Sequence, residues 1–253
     1  MVLLKLTLPP MIIGLISMAE RKWGASISGL LVGLPLTAGP LLFFLTLEQG
    51  RSFSARTSIA SMMGLVALSA FAAVYARVSQ TRGWRPSLLA GTAAYLIAAA
   101  LLLKLPSVSV VWAFPIGCGA LLLALCCFPH EPALMPEFKI SGAREISLRM
   151  VAAAVIVFLL TSFASLLGPM SSGLASMFPV YTGILAVFNH TKSGMLARAV
   201  LKGVVAGAFG GAAFFVIVAS AQNLGTGLCF GFATLAALAV QALLFSRLKQ
   251  TGF

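Results

Sequence analysis

The feature that most constrains this chain is a repeat marked by its helix breakers. Gly24, Ser28, Gly29, Leu30 and Pro35 recur as Gly168, Ser172, Gly173, Leu174 and Pro179. The same gapless register carries Gly39, Leu41, Phe44, Gly50 and Ala55 onto Gly183, Leu185, Phe188, Gly194 and Ala199. Apolar segments match one another by chance at Leu, Ala and Val, but seldom at glycine and proline, whose backbone demands are special. The chain therefore reads as a duplication. Weaker apolar matches extend it, Ile12 with Ile156 and Phe71 with Phe215, and after a short slip Gly91 pairs with Gly231.

Composition says what the repeat is made of. The chain is 60% hydrophobic and 9% charged, and uncharged runs such as Ile27 to Leu47, Leu105 to Pro129 and Leu224 to Ser246 supply the roughly 20 residues that cross a hydrocarbon core about 30 Å thick. Lipid offers backbone groups no partners, so these runs must be helical. Spans are expected near 3–19, 27–47, 57–76 and 86–104, then near 150–167, 171–189, 203–220 and 224–246. Residues 106–128 carry no charge and form a further span. The start of the chain, ending in Ser17-Met18-Ala19, also has the look of a cleavable signal peptide, but its second copy argues that it is retained.

The expected fold is an all-α polytopic membrane protein of about nine transmembrane helices. A first four-helix repeat covers 1–105, a linker helix 106–128, a cytoplasmic loop 129–149 and a second four-helix repeat 150–253. Four spans begin and end on one side, so a single extra crossing starts the second copy on the other. The repeats should be inverted.

Loop charges test the orientation, because cytoplasmic loops carry the excess of Lys and Arg. In the nine-span arrangement Arg21, Lys22, Arg77, Arg82, Arg85, Lys139, Arg144, Arg149, Lys192, Arg198, Lys202, Arg247 and Lys249 share the side of the carboxyl terminus. Only Lys5, Arg51, Arg56 and Lys104 face the other side. The carboxyl terminus is then cytoplasmic and the amino terminus outside. An eight-span arrangement with parallel repeats separates the charges nearly as well, and the uncharged run 106–128 decides for nine.

The net charge of +12 follows from this orientation and calls for no nucleic acid, which would need a solvated basic face. Trp23, Trp84 and Trp112 fall near span ends, as interfacial anchors do. Cys118, Cys126, Cys127 and Cys229 form no CxxC pair and read as small hydrophobes. No HExxH, GxSxG, P-loop or carboxylate pair is present, so neither an enzyme nor a cofactor or metal is expected. All five acids lie near helix ends or in the 130–149 loop, and no mid-membrane carboxylate is expected. The Asn189-His190-Thr191 sequon falls on the cytoplasmic side and is read as accidental.

Two stretches carry a family resemblance, SGLLVGLPLTAGPLLFFLTLEQGRSFSARTSI at 28–59 and SGLASMFPVYTGILAVFNHTKSGMLARAVLKG at 172–203. Each has a Gly-Leu pair, a proline-centred helix and then a glycine before an Arg-containing loop, and in this each resembles GlpM, a small four-helix bacterial inner-membrane protein. FPVYTGILAVF is the closer match, while GLPLTAGPLLF lacks the aromatic before its proline. The resemblance implies a duplicated bundle in a bacterial inner membrane and names no substrate.

Function is sought where the copies break. Discontinuous helices at corresponding positions of inverted repeats line the binding sites of many secondary transporters. The residues singled out as substrate-lining are Ser28, Pro35, Thr37, Gly39, Ser172, Pro179, Tyr181, Thr182 and Gly183. Close packing at a kink explains the same glycines and prolines, and both readings stand. Glu48, Arg51 and Arg56 follow one break, and His190, Lys192 and Arg198 the other, as charges at two mouths. The leading expectation is a transporter or translocator for an anionic or amphipathic substrate, a small solute or lipid headgroup, in contact with membrane lipids. The alternative is a non-transporting membrane subunit of an envelope-biogenesis assembly. A homo-oligomer or a partner membrane protein is left open.

Overall fold

A computed structural model describes residues 2–36, 38–106, 108–129, 142–164, 169–221 and 223–250. The described residues form eleven helical segments and no strand: α1 (Val2–Trp23), α2 (Ala25–Val32), α3 (Ala38–Gln49), α4 (Arg51–Val78), α5 (Trp84–Leu103), α6 (Val110–Cys127), α7 (Ala143–Ala164), α8 (Pro169–Ser176), α9 (Val180–His190), α10 (Gly194–Ser220) and α11 (Thr226–Gln250). Six stretches among them are long and apolar enough to cross a membrane, namely α4, α5, α6, the α8–α9 pair, α10 and α11. This is the character of a multi-pass membrane protein. The runs expected as spans at 27–47 and 171–189 are each two segments, interrupted ahead of Ala38 and Val180.

Two long helices form the centre. In the span of α4, 72% of residues are buried, and in that of α10, 61%, against 22% in α5, α6 and α11. They run antiparallel: Arg198, near the start of α10, donates to the carbonyl of Ser79 just past the end of α4 (3.2 Å). At the opposite end Arg51 and Ser54 of α4 line one recess with Val218 of α10 and Ala221 just past its end. Around this pair α2 lies along α10 and α8 along α4, α1 packs on α7, α5 on α4 and α11 on α10, while α6 touches both central helices. Outer faces of α5, α6 and α11 expose Leu89, Ile97, Val111, Leu123, Phe232 and Leu243, as surfaces bathed in hydrocarbon do.

Small residues let the core close. A Cβ added to Gly29 would stand 2.1 Å from the carbonyl oxygen of Val200, and one on Gly203 or Gly207 would stand 2.1 Å from that of Ser26 or Leu30. Gly29 of α2 and Gly33 just past its end thus meet Gly203 and Gly207 on α10 backbone to backbone, the small-xxx-small contact of membrane helices. Gly173 plays the same part on α8, where an added Cβ would meet the Thr57 carbonyl of α4 at 2.5 Å.

Several expected boundaries move. Arg51 and Arg56, and likewise Arg198 and Lys202, were expected in loops, yet they lie within the first three turns of α4 and α10, which begin at Arg51 and Gly194. Hydropathy marks only where a span becomes apolar, whereas Arg and Lys are good helix formers that continue the same helix beyond it. For the same reason α7 begins at Ala143, inside the expected loop 129–149. Residues 130–141 of that loop lie outside the described residues. Gly24 and Gly50, each the single residue between two helices, sit at φ 88° and 85°, a left-handed backbone that glycine adopts without a Cβ penalty.

Candidate functional site

The two breaks are built alike. Pro35 has no N–H to continue α2 and disfavours a helical Leu34. The amide of Leu34 turns to the Leu31 carbonyl (3.2 Å), that of Leu36 to Leu34 (2.7 Å), and that of Gly39 restarts the helix on the carbonyl of Pro35 (2.8 Å). At the second break the amide of Phe178 turns to Ala175 (3.1 Å), that of Val180 to Phe178 (2.8 Å), and that of Gly183 to Pro179 (2.8 Å). Equivalent residues make equivalent bonds.

At each break one carbonyl of the short segment is met by a side chain from outside that segment. The Tyr95 hydroxyl of α5 donates to Leu174 O (2.6 Å), and the Gln241 side-chain amide of α11 donates to Leu30 O. Leu30 and Leu174 are partners in the sequence repeat. Neither Tyr95 nor Gln241 stood out in the sequence, because each is one of several polar residues on a largely apolar helix and its target is defined only by the fold. Ser61 of α4 strengthens the second junction, its hydroxyl 3.2 Å from that of Ser176, which itself donates to Gly173 O (2.7 Å).

The residues singled out as substrate-lining are mostly enclosed. Ser28 is buried and its hydroxyl donates to Ala25 O (2.8 Å); Ser172, Pro179, Thr182 and Gly183 are buried, and Pro35 is half-buried. A Cβ on Gly39 would touch the Phe214 ring at 3.4 Å. Tyr181 is buried with its hydroxyl lacking a hydrogen-bond partner among the described residues. Thr37 lies outside the described residues. The broken segments touch where α2 meets α9, but α2 lies chiefly on α10 and α8 chiefly on α4.

The charged residues singled out lie at two ends of the central helix pair. At the basic end, Tyr75 and His190 pair through hydroxyl and ring Nδ1 (3.2 Å), and Arg198 holds Ser79. Lys192 pairs with Glu145 (3.0 Å), and Glu145 accepts from Arg149 (2.6 Å). Arg149 in turn pairs with Glu20, and both side chains are fully buried. Burial opposes ionisation of Glu145, but the Lys192 hydrogen bond and the charge and hydrogen bond of Arg149 hold its carboxyl below the ordinary 4.5. Glu20 lies near the end of α1, where the sequence placed it, but its enclosure with Arg149 was not legible there: the partner is distant in sequence and the pairing depends on α1 meeting α7. At the opposite end Glu48, Arg51 and Arg56 are exposed.

Asn189 is buried and its amide donates to Leu185 O (2.9 Å), so the sequon is closed to modification in the folded chain. Among the described residues no cluster of three His, Cys, Asp or Glu is arranged to hold a metal. No family model matches the chain, nor does any curated protein or solved structure.

Proposed function

We propose that the chain is a small transporter or translocator of nine spans, two inverted four-helix repeats joined by α6, with α2–α3 and α8–α9 as its discontinuous helices. The observation that carries this reading is the crossed holding of the breaks. Each short segment leans on the long helix of the other copy, α2 on α10 and α8 on α4, and the Leu30 and Leu174 carbonyls are each bonded by the last helix of the other copy. Such an exchange of partners is what a two-fold relation between copies requires. The antiparallel α4 and α10 support inversion, since Gly29 lies beside Val200 near the start of α10 while Gly173 lies beside Thr57 near the start of α4.

In this reading the breaks act as paired hinges, because a helix cut at Pro35 or Pro179 allows its two parts to tilt independently. The cationic residues at both ends suit an anionic or amphipathic substrate. The test has two arms in cysteine-free full-length protein. Ser52→Cys and Thr191→Cys should label from opposite sides of sealed vesicles, and labelling from the same side overturns the inverted arrangement. Reconstituted vesicles should show protein-dependent flux of an anion or headgroup analogue, slowed by bulky substitution at the breaks.

A second reading, a non-transporting membrane subunit, draws on the burial of Pro179, Tyr181 and Thr182 in helix contacts. It expects labelling from opposite sides with no flux for any substrate offered.

A further inference from the structure

The end opposite the basic cluster holds a recess that the breaks do not account for. Thr46 of α3, Arg51 and Ser54 of α4, Ala221 after α10, and Thr226 and Cys229 of α11 contribute to its walls. Two long helices therefore start at its rim, α4 at Arg51 and α11 at Thr226. The first N–H groups of a helix have no intrahelical acceptor and carry the positive end of its dipole. At α4 the preceding residue is Gly50, which supplies no side-chain cap.

Ser54 adds an independent sign of a ligand. Its side chain is 1% exposed and its hydroxyl has no hydrogen-bond partner among the described residues. Thr57, Ser58 and Ser61, further along the same helix, each turn their hydroxyls back to the carbonyl one turn earlier. The same local bond is open to Ser54 and is not made. An unused donor in a wall of the recess, beside a guanidinium and two helix starts, is the donor set of an oxyanion site.

We infer that this recess binds a phosphate group, with one oxygen directed to the Ser54 hydroxyl and the others to the Arg51 guanidinium and the first-turn N–H groups of α4. A guanidinium carries five donors in one plane, enough to serve protein and ligand together. The Ile217 carbonyl at the close of α10 already accepts the Ala221 amide (2.8 Å), and Glu48 is not among the lining residues. Inside, the recess has room for about one water-sized group, so a single oxygen enters it and the rest of the phosphate, with any diester substituent, stays at the mouth. The assignment rests on the transporter reading for its purpose and gives that reading a substrate class.

Thermal unfolding of full-length protein in neutral detergent at fixed ionic strength measures binding directly, with inorganic phosphate and short-chain phosphatidylglycerol as separate probes. Saturable stabilisation is expected from at least one. Saturation by phosphate alone identifies a free solute, and saturation by the phospholipid alone a headgroup. Ser54→Ala keeps every charge and should weaken binding about tenfold, the effect of losing one hydrogen bond to an anion. Arg51→Lys, which keeps the charge but not the fork, should weaken it by about the same factor. Lys104→Gln, an exposed charge outside the recess, should leave affinity within about twofold, the scatter of a distant screened charge. No saturable binding of either probe, or equal weakening by all three substitutions, overturns the site. Because binding is read without vesicles, binding with no flux refutes transport and leaves the site standing.

Discussion

The hydroxyl of Tyr95 donates to the carbonyl of Leu174 at 2.6 Å across 79 residues of sequence. That carbonyl also accepts the Met177 amide (3.1 Å), so the last turn before Pro179 is closed by one local and one distant donor. Tyr95→Phe keeps the ring, which packs edge-on against Phe178 (5.3 Å between centroids), and removes only the donor. The expected loss is about 1 kcal/mol of stability, read as a lower unfolding midpoint in detergent. Gln241→Leu at the other break should cost a similar amount, and the double variant should show the sum, since the two bonds share no atom.

Gly29→Ala tests the close crossing of α2 and α10. The new methyl would stand 2.1 Å from the Val200 carbonyl, and the helices must separate to admit it. A loss of more than about 3 kcal/mol is expected, beyond ordinary overpacking, because backbone rather than a flexible side chain blocks the space. Gly119 on α6 has nothing within 4 Å of an added Cβ. Gly119→Ala should leave stability unchanged or raise it by up to about 1 kcal/mol, and equal losses at both positions would refute the contact.

The Glu20–Arg149 pair is the most enclosed charge in the described structure. Arg149→Leu leaves Glu20 buried opposite an apolar group and should cost about 3–5 kcal/mol. Glu20→Leu in that background removes the stranded acid and should recover part of the loss. A double-mutant cycle in unfolding experiments checks the coupling, and strictly additive losses would show that the pair does not act as one unit.

The pH response of the same end follows from Glu145. Its folded pKa is lowered, so its pairing with Lys192 and Arg149 contributes fully above the unfolded value near 4.5 and is lost as pH falls through the folded one. The unfolding midpoint should therefore drop on acidification below about pH 4.5. Glu145→Gln should flatten that part of the profile and lower the midpoint at neutral pH, where the wild-type carboxylate is charged.

Tyr181 separates transport from packing. Its buried hydroxyl lacks a partner, so Tyr181→Phe should be neutral or stabilising in unfolding experiments. If flux falls while stability holds, the hydroxyl serves a passing substrate. Unchanged flux assigns the residue to packing alone.

Much of the architecture was legible because helix breakers are local. Pro35 and Pro179 stop their helices through their own missing N–H, and the breaks fell where the sequence placed them. Apolar length located the six long spans for an equally local reason. What escaped were relations set by which helix lies beside which. The pairing of Gly29 with Val200, the encounter of Glu20 with Arg149 and the reach of Gln241 to Leu30 join residues that no periodicity connects. Helix starts escaped for another reason, since hydropathy sees the lipid and not the hydrogen bonds that carry α4 and α10 past it.

The donor that meets Leu30 comes from Gln241, on the last helix of the chain. During synthesis the first break is therefore exposed in lipid long before its donor exists, while Tyr95 is already in place when Leu174 emerges. A nascent first half must shelter one unmatched carbonyl, through water, an insertase or a temporary neighbour, until α11 arrives. Truncation before α11 should consequently produce a species recognised by membrane quality control, although every helix from α1 to α10 is complete.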